Sequence, residues 1–276
     1  GLTLCSGPLL LSLFPFLVVS RLLIQCPESD LLALPFRLAA WGIGIRTPCA
    51  ARVLCIGFLG GFAPAASAAA QAVRTGQLTA EEADALLPAC ICSGPSFVVL
   101  TVGQSLLGSA ELGVLLFASQ ITANYLTAAL LNRFAGVRSV KLGSAAPASP
   151  APPRLDEILA DAAITYCKLC GFILFFRMLA AGAGALLPAD AGTLCSILLE
   201  VCSGCDLASR TGRWGSLLCC AALSVQGLSV LLQVRTICPP EMTLRPLYRS
   251  RLLHLPLSLA LFYLCLLYTS PSPRDI

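Results

Sequence analysis

Long apolar runs, separated by short polar or Gly- and Pro-containing breaks, fill the chain from residue 8 to residue 264. The runs are rich in Leu and Ala and show no alternation of polar and apolar positions. A helix needs about 20 residues to cross a bilayer, and a membrane-spanning strand needs the alternation that these runs lack. Backbone groups in lipid must also bond within the protein, which leaves only helices or a closed barrel. The pattern predicts an all-α, polytopic helical membrane protein.

The apolar runs differ in whether a helix can cross without interruption. Residues 111–131 and 164–187 predict full-length spans, and residue 252 begins the last span. The run at residues 49–73 contains Gly57-Phe-Leu-Gly60-Gly61-Phe-Ala-Pro64 at its centre. Since Gly and Pro together interrupt a helix, this run predicts two short helical pieces or a re-entrant hairpin. Further breaks are predicted at residues 93–96, 200–204 and 226–229.

Residues 74–88 form the most polar element of the first half. Thr79-Ala-Glu-Glu82 is a capping box that predicts the start of a short helix, and Pro88 predicts its end. The polar composition favours a solvated surface hairpin at this point.

An Ala-, Pro- and Ser-rich linker at residues 136–154 divides the chain into a first membrane repeat, residues 1–135, and a second, residues 155–264. Residues 16–23 align with residues 172–179, and residues 71–75 align with residues 233–236 after a gap. The two halves are therefore interpreted as weakly related, with chance similarity as the alternative. Corresponding broken segments in two halves are typical of a transporter site at the interface between repeats.

Composition and charge agree with a membrane location. Hydrophobic residues make up 57% of the chain and charged residues 12%, whereas a soluble domain has about a quarter of its residues charged. Basic residues cluster at residues 133–154 and 235–251, so the positive-inside rule predicts that both loops are cytoplasmic. The sequence lacks the mixed basic and aromatic patches that bind nucleic acid, and no nucleic-acid partner is expected.

The chain contains 15 cysteines, most of them within apolar runs, where they can pack as small hydrophobic residues. Two pairs have CxxC spacing, Cys167 with Cys170 and Cys202 with Cys205. Zinc binding is the alternative to packing for these pairs. Packing is the favoured interpretation, and neither a metal nor another cofactor is predicted.

The last twelve residues, 265–276, read CLLYTSPSPRDI. They resemble a sequencing adapter read in frame. They are interpreted as an artefact that should not pack into the bundle, with a genuine polar tail as the alternative. The second repeat is accordingly expected to be truncated at its C-terminal end.

Three segments carry a resemblance to a known family: RTGQLTAEEADALL, LLEVCSGC and LSVQGLSVLLQV. In their order and spacing over residues 10–264, the chain resembles bacterial membrane proteins with paired nucleoside-recognition (Gate) domains, among them sporulation integral membrane proteins. The resemblance implies a multi-pass protein of the bacterial cell membrane, transporter-like and linked to sporulation. The family usually has Ser-Gly-Tyr-Pro at the first break, where this chain has Gly60-Gly61-Phe62-Ala63, and Asn near Cys92 and Ser203.

No enzyme signature is present. His254 is the only histidine, no Ser/His/Asp set can be assembled around it, and no Walker loop occurs. Glu200 is the acidic residue to single out, because a charge within an apolar segment is a functional candidate. An interfacial position for Glu200 is the alternative. Arg21 and Arg177 are expected to extend towards the membrane interface, with a functional role as the alternative.

The breaks are expected to converge around one polar cavity near the membrane midplane, because each leaves backbone groups without helical partners. The amides in apolar runs either face this cavity or bond neighbouring helices. The candidate ligand-binding residues are Gly60, Gly61, Pro64, Gln71, Ser93, Gly94, Ser96, Glu200, Ser203, Gly204, Gln226, Ser229 and Gln233.

The expected partners are the lipid bilayer and a small polar solute, and the expected function is transport of that solute. Two alternatives stay open at this point. One is a non-transporting membrane scaffold in spore formation. The other is divalent-metal permeation through Cys92, Cys202 and Cys205.

Overall fold

The computed structural model describes residues 8–25, 30–136 and 154–269, and within these ranges every regular element is a helix. The α-helices are α1 (Pro8–Gln25), α2 (Leu34–Gly42), α3 (Pro48–Gly60), α4 (Phe62–Arg74), α5 (Ala80–Cys90), α6 (Ala110–Ala135), α7 (Leu155–Leu186), α8 (Ala189–Leu199), α9 (Val201–Ser209), α10 (Gly215–Val225), α11 (Gly227–Ile237) and α12 (Arg245–Thr269). A π-helix, Ser96–Leu106, follows α5, and a 3-10 turn, Gly212–Trp214, precedes α10.

Four segments of the described chain are long and apolar enough to cross a membrane: Ala110–Ala135, Leu155–Leu186, Gly212–Ile237 and Arg245–Tyr268. The third comprises α10 and α11, which are interrupted at Gln226. The predicted class, an all-helical polytopic membrane protein with broken helices, is confirmed.

The two halves have the same order of elements. Each has a long helix, two short helices joined by a sharp break, two more short helices joined by a break, and a second long helix. In the first half these are α1, α3–α4, α5 with the π-helix, and α6. In the second half they are α7, α8–α9, α10–α11 and α12. Only the first half inserts an additional helix, α2, between the first two of these elements.

The first pair of short helices in each half is a hairpin. A Cβ on Gly57 would lie 3.2 Å from the Cβ of Ala65, although eight residues of straight helix span about 12 Å. A Cβ on Gly204 would lie 2.8 Å from the Cα of Ile197 for the same reason. The hairpin interpretation of residues 49–73 is therefore correct, and α8–α9 repeats it.

The second pair of the first half, α5 and the π-helix, does not form a hairpin. These two helices lie end to end. Helix α6 runs antiparallel beside both of them: its Asn132 donates to Ala85 O and its Asn124 donates to Ile91 O. Further along α6, Gly113 packs directly on Val99 of the π-helix. Helix α5 and the π-helix thus form one broken crossing helix.

The hairpins enter from opposite faces of the bundle. At the first face, the start of α3 lies beside the end of α1 and the start of α5, since Arg52 donates to Ile24 O and Thr47 donates to Glu82. The start of α7 reaches the same face through the ion pair of Asp161 with Arg21. The second face carries the open end of the α8–α9 hairpin, where a cleft is lined by residues from both hairpin ends and from α7, α10 and α12.

Equivalent helices of the two halves pack against each other. Helix α1 packs on α7, where the rings of Phe14 and Tyr166 lie 6.2 Å apart, and α6 packs on α12, where His254 Nε2 lies 3.2 Å from Gln120 O. Together with the opposed hairpins, this pairing gives the chain two repeats of inverted topology related by an approximate two-fold axis.

Several expectations from the sequence were wrong in their details. The capping box at Thr79 is present, but α5 is buried and continues through Pro88 to Cys90, because it is half of a crossing helix rather than a surface hairpin. Helix α12 begins at Arg245, not at residue 252, and continues past residue 264 to Thr269. Its Leu266 packs against the core, which contradicts the expectation that nothing beyond residue 264 would pack. Residues 270–276 and most of the linker, residues 137–153, lie outside the described residues.

Arg21 lies at the contact between α1 and α7. Its side chain is buried and bonds Asp161 at 2.5 Å, because α1 packs directly on the start of α7.

Candidate functional site

The two breaks of each half touch each other. In the first half, a Cβ on Gly61 would lie only 2.7 Å from Gly94 N. In the second half, a Cβ on Gly227 would lie 3.0 Å from Glu200 N. Gly61 and Gly227 have φ values of 81° and 68°, a region in which a side chain is strained, so glycine permits both the turn and the close approach.

A side-chain contact joins the two halves at this level. Gln226 Nε2 donates to Ser93 Oγ over 3.4 Å, and it also donates to Leu223 O at 2.6 Å. All four breaks are thereby linked, from Gly61 through residues 93–94 to Gln226 and Glu200. The predicted convergence of breaks that lie far apart in the sequence is confirmed.

A small cavity of about 80 Å³ lies at this convergence. Six of the predicted residues line it: Gly60, Ser93, Gly94, Ser96, Glu200 and Gln233. The rest of the wall was not predicted and is largely apolar, formed by Phe16, Leu59, Phe62, Phe97, Ile173, Val201, Cys202 and Val230. The sequence did not reveal these side chains, because the same apolar residue types face cavities, lipid and the protein core.

Glu200 is buried and serves as the N-terminal cap of α9. Its Oε1 accepts from Cys202 N at 2.8 Å, and its Oε2 accepts from Ser203 N and Ser203 Oγ at 2.8 and 2.9 Å. The positive end of the helix dipole stabilises a carboxylate at this position. Glu200 lies at the tip of the α8–α9 hairpin and lines the cavity.

Two buried amides have one unsatisfied end. Gln233 Nε2 donates to Ser229 Oγ at 2.8 Å, but among the described residues neither Gln233 Oε1 nor Gln226 Oε1 has a partner. Both residues are 1% exposed. Because a buried polar atom without a partner costs about 1–3 kcal/mol, an unsatisfied oxygen in a cavity wall indicates a place for a donor.

The remaining candidates stand behind the cavity wall. Pro64 packs on Gly60, Gly204 packs on Ile197, and Ser203 and Ser229 bond Glu200 and Gln233. Gln71 is half-buried in the last turn of α4 and does not line the cavity.

Arg251 is the main polar residue that sequence reasoning missed. It is buried in α12 and its guanidinium donates to Pro88 O, Ile91 O and Ser224 O over 3.4–3.5 Å. These carbonyls belong to the ends of α5 and α10, where the negative ends of the helix dipoles favour a cation. In the sequence, Arg251 is the last of several basic residues at positions 235–251, where the pattern predicts one loop. Only its place within α12, which begins at Arg245, separates it from the others.

The cysteines proposed for metal permeation do not form a cluster. Cys92 contacts Gly57 O and Cys90 O, Cys202 lines the cavity, and Cys205 lies beside Cys219 on α10. Across residues 8–25, 30–136 and 154–269, no group of three or more His, Cys, Asp or Glu side chains is arranged to hold a metal ion.

Comparisons with family models, with curated proteins and with solved structures found no match to this chain.

Proposed function

We propose that this chain is a multi-pass protein of the bacterial cell membrane that transports a small polar solute through the cavity at the four breaks. The observation that carries the proposal is the convergence of all four breaks of two inverted repeats on a single cavity. Helix breaks at membrane depth are tolerated where they line a cavity, and inverted repeats of this kind underlie alternating access. The resemblance to nucleoside-recognition domain proteins adds a role linked to sporulation to the proposal.

The arrangement of the hairpins supports a transport cycle. One hairpin tip, at Gly60 and Phe62, and the other, at Glu200 and Cys202, line the same cavity but belong to hairpins that enter from opposite faces. A small movement of either hairpin would open the cavity towards its own face. Two such movements in turn would carry a solute across the membrane.

Basic residues support the orientation of the protein. Those at helix ends on the first face are Arg46, Arg74, Arg133, Arg154, Arg235, Arg245 and Arg249, whereas Arg210 and Arg213 lie at the second face. By the positive-inside rule, the first face is cytoplasmic.

Uptake by proteoliposomes tests the proposal. Liposomes containing the full chain are expected to accumulate at least one solute from a panel of labelled nucleosides, amino acids and organic acids, with saturation. Val230→Trp fills the cavity and should reduce uptake at least tenfold, whereas Leu228→Trp on the same helix, at a 45% exposed position outside the cavity wall, should not. If the wild-type chain takes up none of these solutes above empty liposomes, the transport proposal is wrong.

A further inference from the structure

The cavity has walls of opposite electrical character. Two helices of the first half begin at the cavity: α4 at Phe62, directly after Gly61, and the π-helix at Ser96, directly after Pro95. Neither helix start has a side chain that caps it. The first N–H groups of a helix cannot bond within it, and they carry a partial positive charge. Phe62, Ser96 and Phe97 all line the cavity, so two uncapped helix starts meet there.

The second half presents negative charge and an acceptor to the same cavity. In the second half, α9 occupies the position that α4 has in the first half. The Glu200 carboxylate already caps the start of α9. Beside it, Gln233 is 1% exposed, and its Oε1 has no hydrogen-bond partner in the part of the chain that the structure describes. The unsatisfied oxygen is a second observation, independent of the helix starts, and it requires a donor from whatever occupies the cavity.

The rest of the wall is apolar. Phe16, Phe62, Phe97, Ile173 and Val230 surround the polar groups. A purely polar solute would leave these side chains without apolar contacts, whereas a solute with an apolar arm would bury that arm against them.

We infer that the solute is a zwitterion with an apolar arm, of which an apolar α-amino acid is the simplest example. Its carboxylate binds the uncapped starts of α4 and the π-helix. Its ammonium group donates to Gln233 Oε1 and is attracted by Glu200. This inference rests on the proposed transport function and narrows it to one class of solute.

Equilibrium binding to the purified full chain in nanodiscs tests the inference, with radiolabelled L-leucine as the probe. The competitors are 3-methylbutylamine, which is leucine without its carboxylate, and 4-methylpentanoate, which is leucine without its amine. Each is expected to bind at least tenfold more weakly than leucine, because each loses one of the two charged contacts. Uridine, a neutral polar solute, is expected not to compete.

Gln233→Met should weaken leucine binding about tenfold, since it removes the acceptor while keeping the length of the side chain. Gln104→Met is the matched control, because Gln104 is an exposed glutamine of the π-helix outside the cavity wall, and it should bind leucine as the wild type does. If Gln233→Met does not fold, the competition series on the wild type still decides the matter.

The inference is wrong if leucine does not bind, if either half-analogue binds as tightly as leucine, or if a folded Gln233→Met variant binds leucine unchanged. Uptake of uridine without binding of leucine would overturn the zwitterion and leave the transport function standing. A failure of every solute in the uptake panel would instead overturn the transport function itself.

Discussion

The carboxylate of Asp84 accepts a hydrogen bond of 3.0 Å from the backbone N–H of Leu244, which lies 160 residues later in the chain. Asp84 belongs to α5 of the first half, and Leu244 belongs to the loop that leads into α12 of the second. The same carboxylate accepts from Thr243 N and Thr243 Oγ1 at 2.8 and 2.7 Å. These bonds hold the loop in place at Leu244, which has a φ of 57°. They also join the two repeats at the first face.

Asp84→Asn should therefore lower the free energy of unfolding by about 2–3 kcal/mol, because an amide loses the charge and one of the acceptor oxygens. Glu81→Gln is the control on the same helix, at an exposed position, and should change stability by less than about 0.5 kcal/mol. Denaturant unfolding in detergent micelles measures both. Equal effects of the two substitutions would contradict a specific role for Asp84.

Two glycines with positive φ differ in what an added side chain would meet. Gly61 and Gly76 have φ of 81° and 69°, but a Cβ would meet Gly94 N at 2.7 Å in the first case and nothing within 4 Å in the second. Gly76→Ala should cost about 1–2 kcal/mol from strain alone. Gly61→Ala should cost about 1–3 kcal/mol more, because the two breaks must move apart and because a ψ of −164° at this φ is essentially restricted to glycine. Similar losses of stability in the two variants would show that the contact between the breaks is loose.

The sequence was sufficient to locate the breaks and the Thr79 capping box, because these depend on local chemistry: glycine or proline in an apolar run, and a hydroxyl three residues before a carboxylate. It was also sufficient to identify Glu200, since a lone charge in an apolar run stands out. These signals need no knowledge of which helices are neighbours.

The sequence did not reveal the inverted topology or the roles of Arg251 and Asp84. Each depends on contacts between residues more than 120 positions apart, as in the bond of Arg251 to Asn124 Oδ1. It also misjudged α5, whose charged first turn suggests solvent but is satisfied internally, with Glu82 bonding Thr79 and Thr47. Polar residues in a buried helix become recognisable only when their partners are known.

Arg251 should be essential for the stability of the broken helices. Arg251→Met removes a donor from the carbonyls of Pro88, Ile91 and Ser224, of which Ile91 O keeps its bond from Asn124, and it should lower the free energy of unfolding by about 1–3 kcal/mol. Arg249→Met, an exposed site on the same helix, is the control and should be nearly neutral. A stable Arg251→Met variant would show that water or another donor replaces the guanidinium.

Cysteine labelling should place both basic loops on the cytoplasmic side. In a chain whose native cysteines are replaced, Ser144→Cys in the linker and Glu241→Cys should react from the cytoplasmic side, and Arg213→Cys should react from the other. Reaction of the first two from opposite sides would refute the topology.

Native Cys238, three residues before Glu241, should stay unreactive towards maleimide at pH 8. Burial raises the pKa of its thiol from 9.0 to about 12, so the thiolate is scarce in the folded protein. The neutral thiol favours the folded state below pH 9, and that contribution is lost as the pH rises from 9 towards 12. Rapid labelling of Cys238 at pH 8, with Glu241→Cys in the same protein as the accessible reference, would contradict its burial.

Glu200 combines a structural and a functional role, and the two can be separated by substitution. Because its carboxylate caps α9, Glu200→Gln should affect folding as well as solute binding. Glutamine retains one acceptor oxygen for the two N–H groups and loses the charge at the helix start. It should therefore cost about 1–2 kcal/mol of stability as well as the binding of solute.

Ser203→Ala provides the comparison for Glu200→Gln. It removes one of the three bonds to Glu200 but keeps the carboxylate in the cavity wall. We expect Ser203→Ala to lose about 1 kcal/mol of stability and to bind solute as the wild type does. Thermal unfolding and solute binding, measured on the same nanodisc samples, distinguish the two variants. If Ser203→Ala loses binding in proportion to its loss of stability, or if Glu200→Gln binds solute normally, then the Glu200 carboxylate acts only as the cap of α9.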